Sequence, residues 1–373
     1  MRTRPEARPQ TIEEARAYLT ESAHQVNPVL HAFWEEKRRA WSGFPEIIRG
    51  AFDAYDHLTG DGKKIRAGLV RLGFEACRHP GSPRPAAPDS IDRAAGCVEI
   101  LHNAFLIHDD IVDRSDLRRN APTVHRVYAD SGRARFADEE QALAYGQAVA
   151  LNFGDKGQAL AQELLLSSGF PADVLLPAIA LLSQVTAETV AGQLLDVEDV
   201  RLGELTEARV LRIHEYKTAH YTIMLPLQLG AILARADGAR LPSLRAYAIP
   251  TGIAFQLQDD VLGLYGDQTV LGKPVDSDVK EGKKTLLFVH AHEHARAADR
   301  EFLVRVHGNP TINAEELERV RAIVRETGAL ARSEAMAREL VAQGQVRIPE
   351  ITPDPRWQRV LAGVGDYLIE RRY

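Results

Sequence analysis

Two apolar helical stretches of this chain each run straight into a pair of aspartates, and that repetition limits what the chain can fold into. The first is Leu101-His-Asn-Ala-Phe-Leu-Ile-His-Asp-Asp-Ile-Val-Asp113 and the second is Gly252-Ile-Ala-Phe-Gln-Leu-Gln-Asp-Asp-Val-Leu-Gly-Leu-Tyr-Gly-Asp267. In the first, Asp109 and Asp113 are four apart and share a helical face, with Asp110 beside them. Carboxylates this close repel one another unless a cation lies between them. Oxygen donors without His or Cys suit Mg²⁺, which takes phosphate oxygens as its remaining ligands. In the second, Asp259 and Asp260 are followed at i+4 by Gly263, so the third carboxylate is missing from that face, and Asp267 comes a turn later. One such acidic helix end is commonly a solvated surface feature. Two of them, 150 residues apart, would each bury charge badly alone, whereas together they can hold metal ions between them.

The rest of the chain reads as helix. Aromatic residues are 6% of the 373, while Ala, Leu, Arg and Glu recur throughout. Thr11 with Glu14 reads as a capping box opening a helix to Trp41. Further helices are expected over 45–58, up to Cys77, and over 91–113, with the Asp61-Gly62 break and the proline-rich loop of Pro80, Pro83, Pro85 and Pro88 between them. Residues 114–137 carry turn residues and charges. Helices follow over 138–168, 172–198, 205–236, 242–265, 282–299, 313–342 and 355–371. Strand alternation and a fixed repeat are both lacking. The expected architecture is all-α: one large helical bundle over 11–373 behind a flexible tail at 1–10.

A net charge of -6 gives the whole chain no electrostatic reason to bind nucleic acid. Cys77 and Cys97 form no C-x-x-C pair and read as buried apolar residues in a reducing compartment. No apolar stretch follows Arg2, Arg4 and Arg8, and no transmembrane segment is expected, so the predicted location is cytoplasmic. Basic residues stand where a diphosphate would need them. Lys63 and Arg66 are three apart, Arg118 and Arg119 trail the first motif, Lys217-Thr218 interrupts an apolar helix, and Lys273, Lys283 and Lys284 follow the second motif.

From Gly62 to Thr285 these residues resemble the trans-isoprenyl diphosphate synthases, the family of farnesyl and geranylgeranyl diphosphate synthases, with the motifs in family order. The resemblance implies an isoprenoid synthase-type bundle around a central cavity. It implies metal binding at Asp109, Asp110, Asp113, Asp259 and Asp260, with three Mg²⁺ ions on the allylic diphosphate. Isopentenyl diphosphate would sit on Lys63, Arg66, His102 and Arg119. Arg118, Gln193 of a Gly-Gln-x-x-Asp element and Lys283 would also bind substrate. Lys217, Thr218, Gln256 and Lys273 would serve catalysis, and a homodimer is implied. Ala67 stands where the family often has proline, and Gly263 where it often has a last aspartate; some geranylgeranyl-type members share that glycine. The segment around Phe153 fits loosely.

Product length is read from the residues before the first motif. Phe105 lies one turn below Asp109 and can floor the cavity, while the neighbouring Ala104 is small. Geranylgeranyl diphosphate is therefore the expected product, with farnesyl diphosphate the alternative. Two other readings remain: a class I terpene cyclase, which usually carries an Asn/Ser/Glu second metal motif, and an inactive regulatory subunit, which should have lost one motif. The basic end, Glu370-Arg371-Arg372-Tyr373, reads either as a lid or as a frayed tail.

Overall fold

A computed structural model describes residues 7–60, 62–82, 87–136, 138–198, 204–266 and 277–370. Asp61, Asp267, Lys273 and Arg371 to Tyr373 lie outside the described residues. Contacts divide the chain into two compact units. One comprises Met1–Ala15, Ser183–Leu225 and Ala239–Tyr373, the other Arg16–Leu182 and Pro226–Gly238.

The Arg16–Leu182 unit is built from α1 (Ala7–Ala40, from Arg16 on), α2 (Glu46–Gly60), α3 (Ile65–Cys77), α4 (Ser90–Val112), α5 (Val124–Gly132) and α6 (Glu139–Leu166). Its spine is α4, which packs on α3 and α6. The run Ala94-Ala95-Gly96-Cys97 is fully buried there, because small side chains let neighbouring helices come close. Lower on the same contact, a β-carbon at Gly157 of α6 would lie 2.9 Å from that of Ala104. Both cysteines are free and buried, and burial pushes the Cys97 thiol well above its usual range, so it is unreactive.

The unit containing the C-terminal helices centres on α10 (Arg240–Tyr265). This helix packs on a π-helical stretch, His214–Met224, and on the helix Ala329–Gln345. Leu257, Val261, Phe288, Val320 and Val341 lie in its core, each at most 2% exposed. Each such side chain contributes about 1.5–3 kcal/mol by leaving water.

Several elements differ from the sequence expectation. Helix α1 starts at Ala7, so Thr11 lies inside it rather than at its N-cap, and residues 7–10 of the expected tail are helical. The stretch read as turns contains α5 and a two-residue hairpin, Leu117–Arg118 paired with Ala121–Pro122. Such a hairpin is too short for period-2 alternation to show. The expected helix 205–236 divides into α8 (Glu207–Ile213), the π-helix and α9 (Leu225–Leu233). The expected helix 313–342 breaks at Gly328, whose φ of 78° is left-handed. One described helix, α7 (Ala172–Val197), is long and apolar enough to cross a membrane by length and composition. Its Val174, Ala178, Leu182 and Val185 are buried inside the protein, while Leu176, Val190, Leu194 and Val197 are exposed.

Candidate active site

The first cationic site is a pocket lined by Gly62, Lys63, Lys64, Ile65, Arg66, Glu99, His102 and Arg119. Lys64 precedes α3 in a left-handed conformation (φ 46°), which turns its side chain inward. It is 4% exposed, whereas Lys63 is exposed to solvent. From sequence, the Lys63-Lys64 doublet does not reveal which lysine faces inward; the backbone twist decides it. The Glu99 carboxylate accepts from the Ala67 N–H at 3.0 Å and steadies the start of α3. His102 projects from α4 into this pocket. Burial, then Arg66, Arg119, Arg118 and Lys64, hold its imidazole well below the usual range, so it is neutral and keeps one N–H to donate.

Arg118 and Arg119 are delivered by the hairpin. Arg119 and Asn120 both have positive φ (53° and 60°), the geometry of a two-residue type I′ turn. Arg119 donates to the carbonyl of Leu58 at the end of α2. Arg118 donates through Nε at 2.9 Å, and through a terminal nitrogen, to Oδ1 of Asp110. Asp110 is 3% exposed, while Asp109 and Asp113 are half-buried. Phe105 is half-buried on the same helix, and Ala104 is fully buried against α6.

The second site is built on the π-helix. Gly192 of α7 admits its backbone: a β-carbon there would meet the Lys217 nitrogen at 2.3 Å. One turn on, Asp196 accepts from Lys217 Nζ at 2.7 Å, and its carbonyl accepts from Lys284. On the other flank, Gly252 of α10 would meet Ala219 Cα at 2.6 Å. Again one turn on, Gln256 accepts from the Thr218 hydroxyl at 2.9 Å and donates to Asp260 Oδ1 at 2.8 Å. Lys283 Nζ lies 3.3 Å from Asp260 and 3.5 Å from Asp278. Burial alone would lower Lys283, but Asp278, Asp260, Asp259 and Asp196 hold its ammonium well above the usual range. Burial opposes charge on Asp260 too, yet Lys283, His214 and Gln256 bring its carboxyl down to about 2. Gln193 is half-buried, and its Nε2 is buried without a hydrogen-bond acceptor among the described residues, a donor left for a ligand.

From sequence, all five aspartates are candidate metal ligands. The structure ties Asp110 and Asp260 to cations of the chain and leaves Asp109, Asp113 and Asp259 half-buried. Their oxygens suit a hard cation. Among the described residues, no three His, Cys, Asp or Glu side chains form a complete cage. Mg²⁺ is usually bound by one or two carboxylates together with substrate phosphates and water. Sequence reading missed Lys64, His214 and Asp278. His214 and Asp278 lie outside the aspartate motifs and reach the site only through folding.

Residues 50–324 match the family model for polyprenyl synthetase. The chain is 31% identical over 323 residues to a short chain isoprenyl diphosphate synthase of Methanothermobacter thermautotrophicus, covering 86% of this chain and 90% of that one. It is 33% identical over 311 residues to a geranylgeranyl diphosphate synthase of Saccharolobus solfataricus, covering 83% of each. Among solved structures, it superposes on geranylgeranyl pyrophosphate synthase from Corynebacterium glutamicum, complexed with isoprenyl diphosphate and magnesium. The TM-score is 0.88 at 28% identity, over 95% of this chain and 99% of that one.

Proposed function

The chain belongs to the polyprenyl synthetase family, and from that premise we propose that it makes geranylgeranyl diphosphate by condensing isopentenyl diphosphate with allylic diphosphates (dimethylallyl, geranyl or farnesyl). It is a trans-isoprenyl diphosphate synthase, a Mg²⁺-dependent prenyltransferase, as the family is. The observation that carries the substrate reading is the layout of α4. His102, facing the cationic pocket, and Asp109 are seven residues apart on one helix, about 10 Å along its axis. A metal-free diphosphate site and an acidic site thus lie two turns apart on one rigid element.

Asp109, Asp113 and Asp259 would hold Mg²⁺, three ions with the allylic diphosphate in this reading. When bound, the metal supplies Lewis-acid stabilisation of the departing diphosphate. Lys217, Lys283 and Arg118 add positive charge around the allylic diphosphate. The allylic C–O bond breaks, and the new C–C bond forms from the double bond of isopentenyl diphosphate, held by Lys63, Lys64, Arg66, His102 and Arg119. The Thr218 hydroxyl and the Gln256 carbonyl oxygen stabilise the cation between these events. The proton lost leaves with the released diphosphate. Gln193 donates to substrate oxygen. Lys273 keeps its expected catalytic role by resemblance only.

In this reading residues 11–373 act as one cytoplasmic catalytic domain that pairs as a homodimer. The dimer is supported by α7, where exposed Leu176, Ala180, Ser183, Ala187, Val190, Leu194 and Val197 alternate at spacings of four and three. That is the seam of a coiled-coil-like helix pair, so a second copy of the same helix is a fitting mate. Leu194→Glu should yield monomers in light scattering. Incubation with Mg²⁺, isopentenyl diphosphate and farnesyl diphosphate tests the chemistry. A C20 diphosphate is expected; a hydrocarbon product would indicate a cyclase, and no turnover a regulatory subunit.

A further inference from the structure

The π-helix and α10 run past each other with a regular polar ladder. His214 faces Asp260 and, four residues on, Thr218 faces Gln256, four residues back. On the upper rung Asp260 sits among three polar partners. Oδ1 takes the Gln256 amide at 2.8 Å with Lys283 at 3.3 Å, and Oδ2 lies 3.2 Å from His214 Nε2. Asp260 is 2% exposed and His214 4%, so the contact is shielded from bulk water. Its neighbour Asp259 is half-buried.

We infer that His214 is a positioning residue for the reaction: it holds Asp260 so that Asp260 orients the Gln256 amide and the Lys283 ammonium, while in this aspartate pair Asp259 alone serves the metal. The chemistry of the amide makes this necessary. The two ends of a Gln side chain have nearly the same shape, and only their partners decide which faces which way. With Asp260 fixed, the N–H₂ end must face the carboxylate, and the oxygen then faces Thr218 and the reacting cation. Without His214, Oδ2 of this buried carboxylate loses the imidazole Nε2 that lies 3.2 Å from it, and the cost of leaving that oxygen buried and unsupported is relieved by turning Asp260 away from Gln256. The ammonium of Lys283 would follow it.

The inference rests on the prenyltransferase reading, so its test separates the two. Turnover is measured while Mg²⁺ is titrated, in the full chain, for His214→Phe, His214→Gln, Asp260→Asn and Asp259→Asn. For His214→Phe, kcat should fall about ten-fold, with half-saturating Mg²⁺ changed less than about two-fold. His214→Gln, which keeps an N–H at the Nε2 position, should recover most of that loss. Asp260→Asn should behave as His214→Phe does. Asp259→Asn should instead raise half-saturating Mg²⁺ by about ten-fold or more, since it loses a charged ligand. Full turnover in His214→Phe overturns the inference, as does a Mg²⁺ shift in Asp260→Asn equal to that in Asp259→Asn. An unchanged Mg²⁺ requirement in Asp259→Asn overturns the metal assignment itself. If His214→Phe does not fold, the two aspartate variants decide the question.

Discussion

A β-carbon added to Gly263 would lie 2.1 Å from Oδ2 of Asp278. The glycine that interrupts the second aspartate motif is therefore where the carboxylate of another element comes in. Asp278 is 2% exposed and lies 3.5 Å from Lys283. Gly263→Ala should push Asp278 off Lys283, cost about 1–3 kcal/mol as overpacking does, and lower turnover. Urea unfolding and steady-state kinetics check this. Unchanged stability would show that Asp278 can move aside freely.

The aspartates of the first motif should separate by phenotype. Asp109→Ala and Asp113→Ala are expected to lose most turnover while melting as the parent does. Asp110→Ala instead leaves the Arg118 guanidinium, 22% exposed, without its carboxylate, and should cost about 1–3 kcal/mol of stability. Near-normal turnover in Asp109→Ala or Asp113→Ala would remove the metal assignment.

The two diphosphates should respond to different lysines and arginines. Arg66→Ala should raise KM for isopentenyl diphosphate, and Lys217→Ala should act mainly on the allylic substrate. Varying each substrate in turn tests this; equal effects of both variants on both substrates would contradict two separate sites.

Stability should fall as pH drops below the ordinary histidine value of 6.5. The folded chain holds His102 well below that value, so the unfolded chain takes up the proton first and is favoured in acid. Above 6.5 this contribution is fully present. His125 and His307 shift in the same direction, so the informative quantity is the difference between the parent and His102→Gln. Denaturant midpoints from pH 5 to 8 should show a shallower acid loss in the variant.

Product length should depend on Phe105 but not on added bulk at Ala104. Phe105→Ala opens space below Asp109 and should shift products to longer chains. Ala104 is fully buried against Gly157, so Ala104→Phe should destabilise the α4–α6 contact rather than shorten the product. Chromatography of the products and thermal melts distinguish the two. An active Phe105→Ala with an unchanged product spectrum would put the floor elsewhere, for example near Phe153.

The amino-acid sequence alone determined the helical architecture, because apolar periodicity and the absence of alternation are local properties. It also determined which residues are chemically able to act, since Asp109, Asp113, Asp259, Arg66 and Lys217 declare themselves by type and spacing. Tertiary structure decided which members of each charged set are buried against partners inside the protein and which stay partly exposed. Asp109 and Asp110 are adjacent in sequence, but a 100° turn of the helix leaves one half-buried and sets the other against Arg118. The same holds for Asp259 and Asp260, and for Lys63 and Lys64, where a left-handed backbone step chooses the inward lysine. His214 and Asp278 had no signal of their own, because their partners are remote in the chain and the contacts exist only once the π-helix and α10 have packed. Burial makes such pairings obligatory: a charge removed from water must find its partner wherever the fold supplies one.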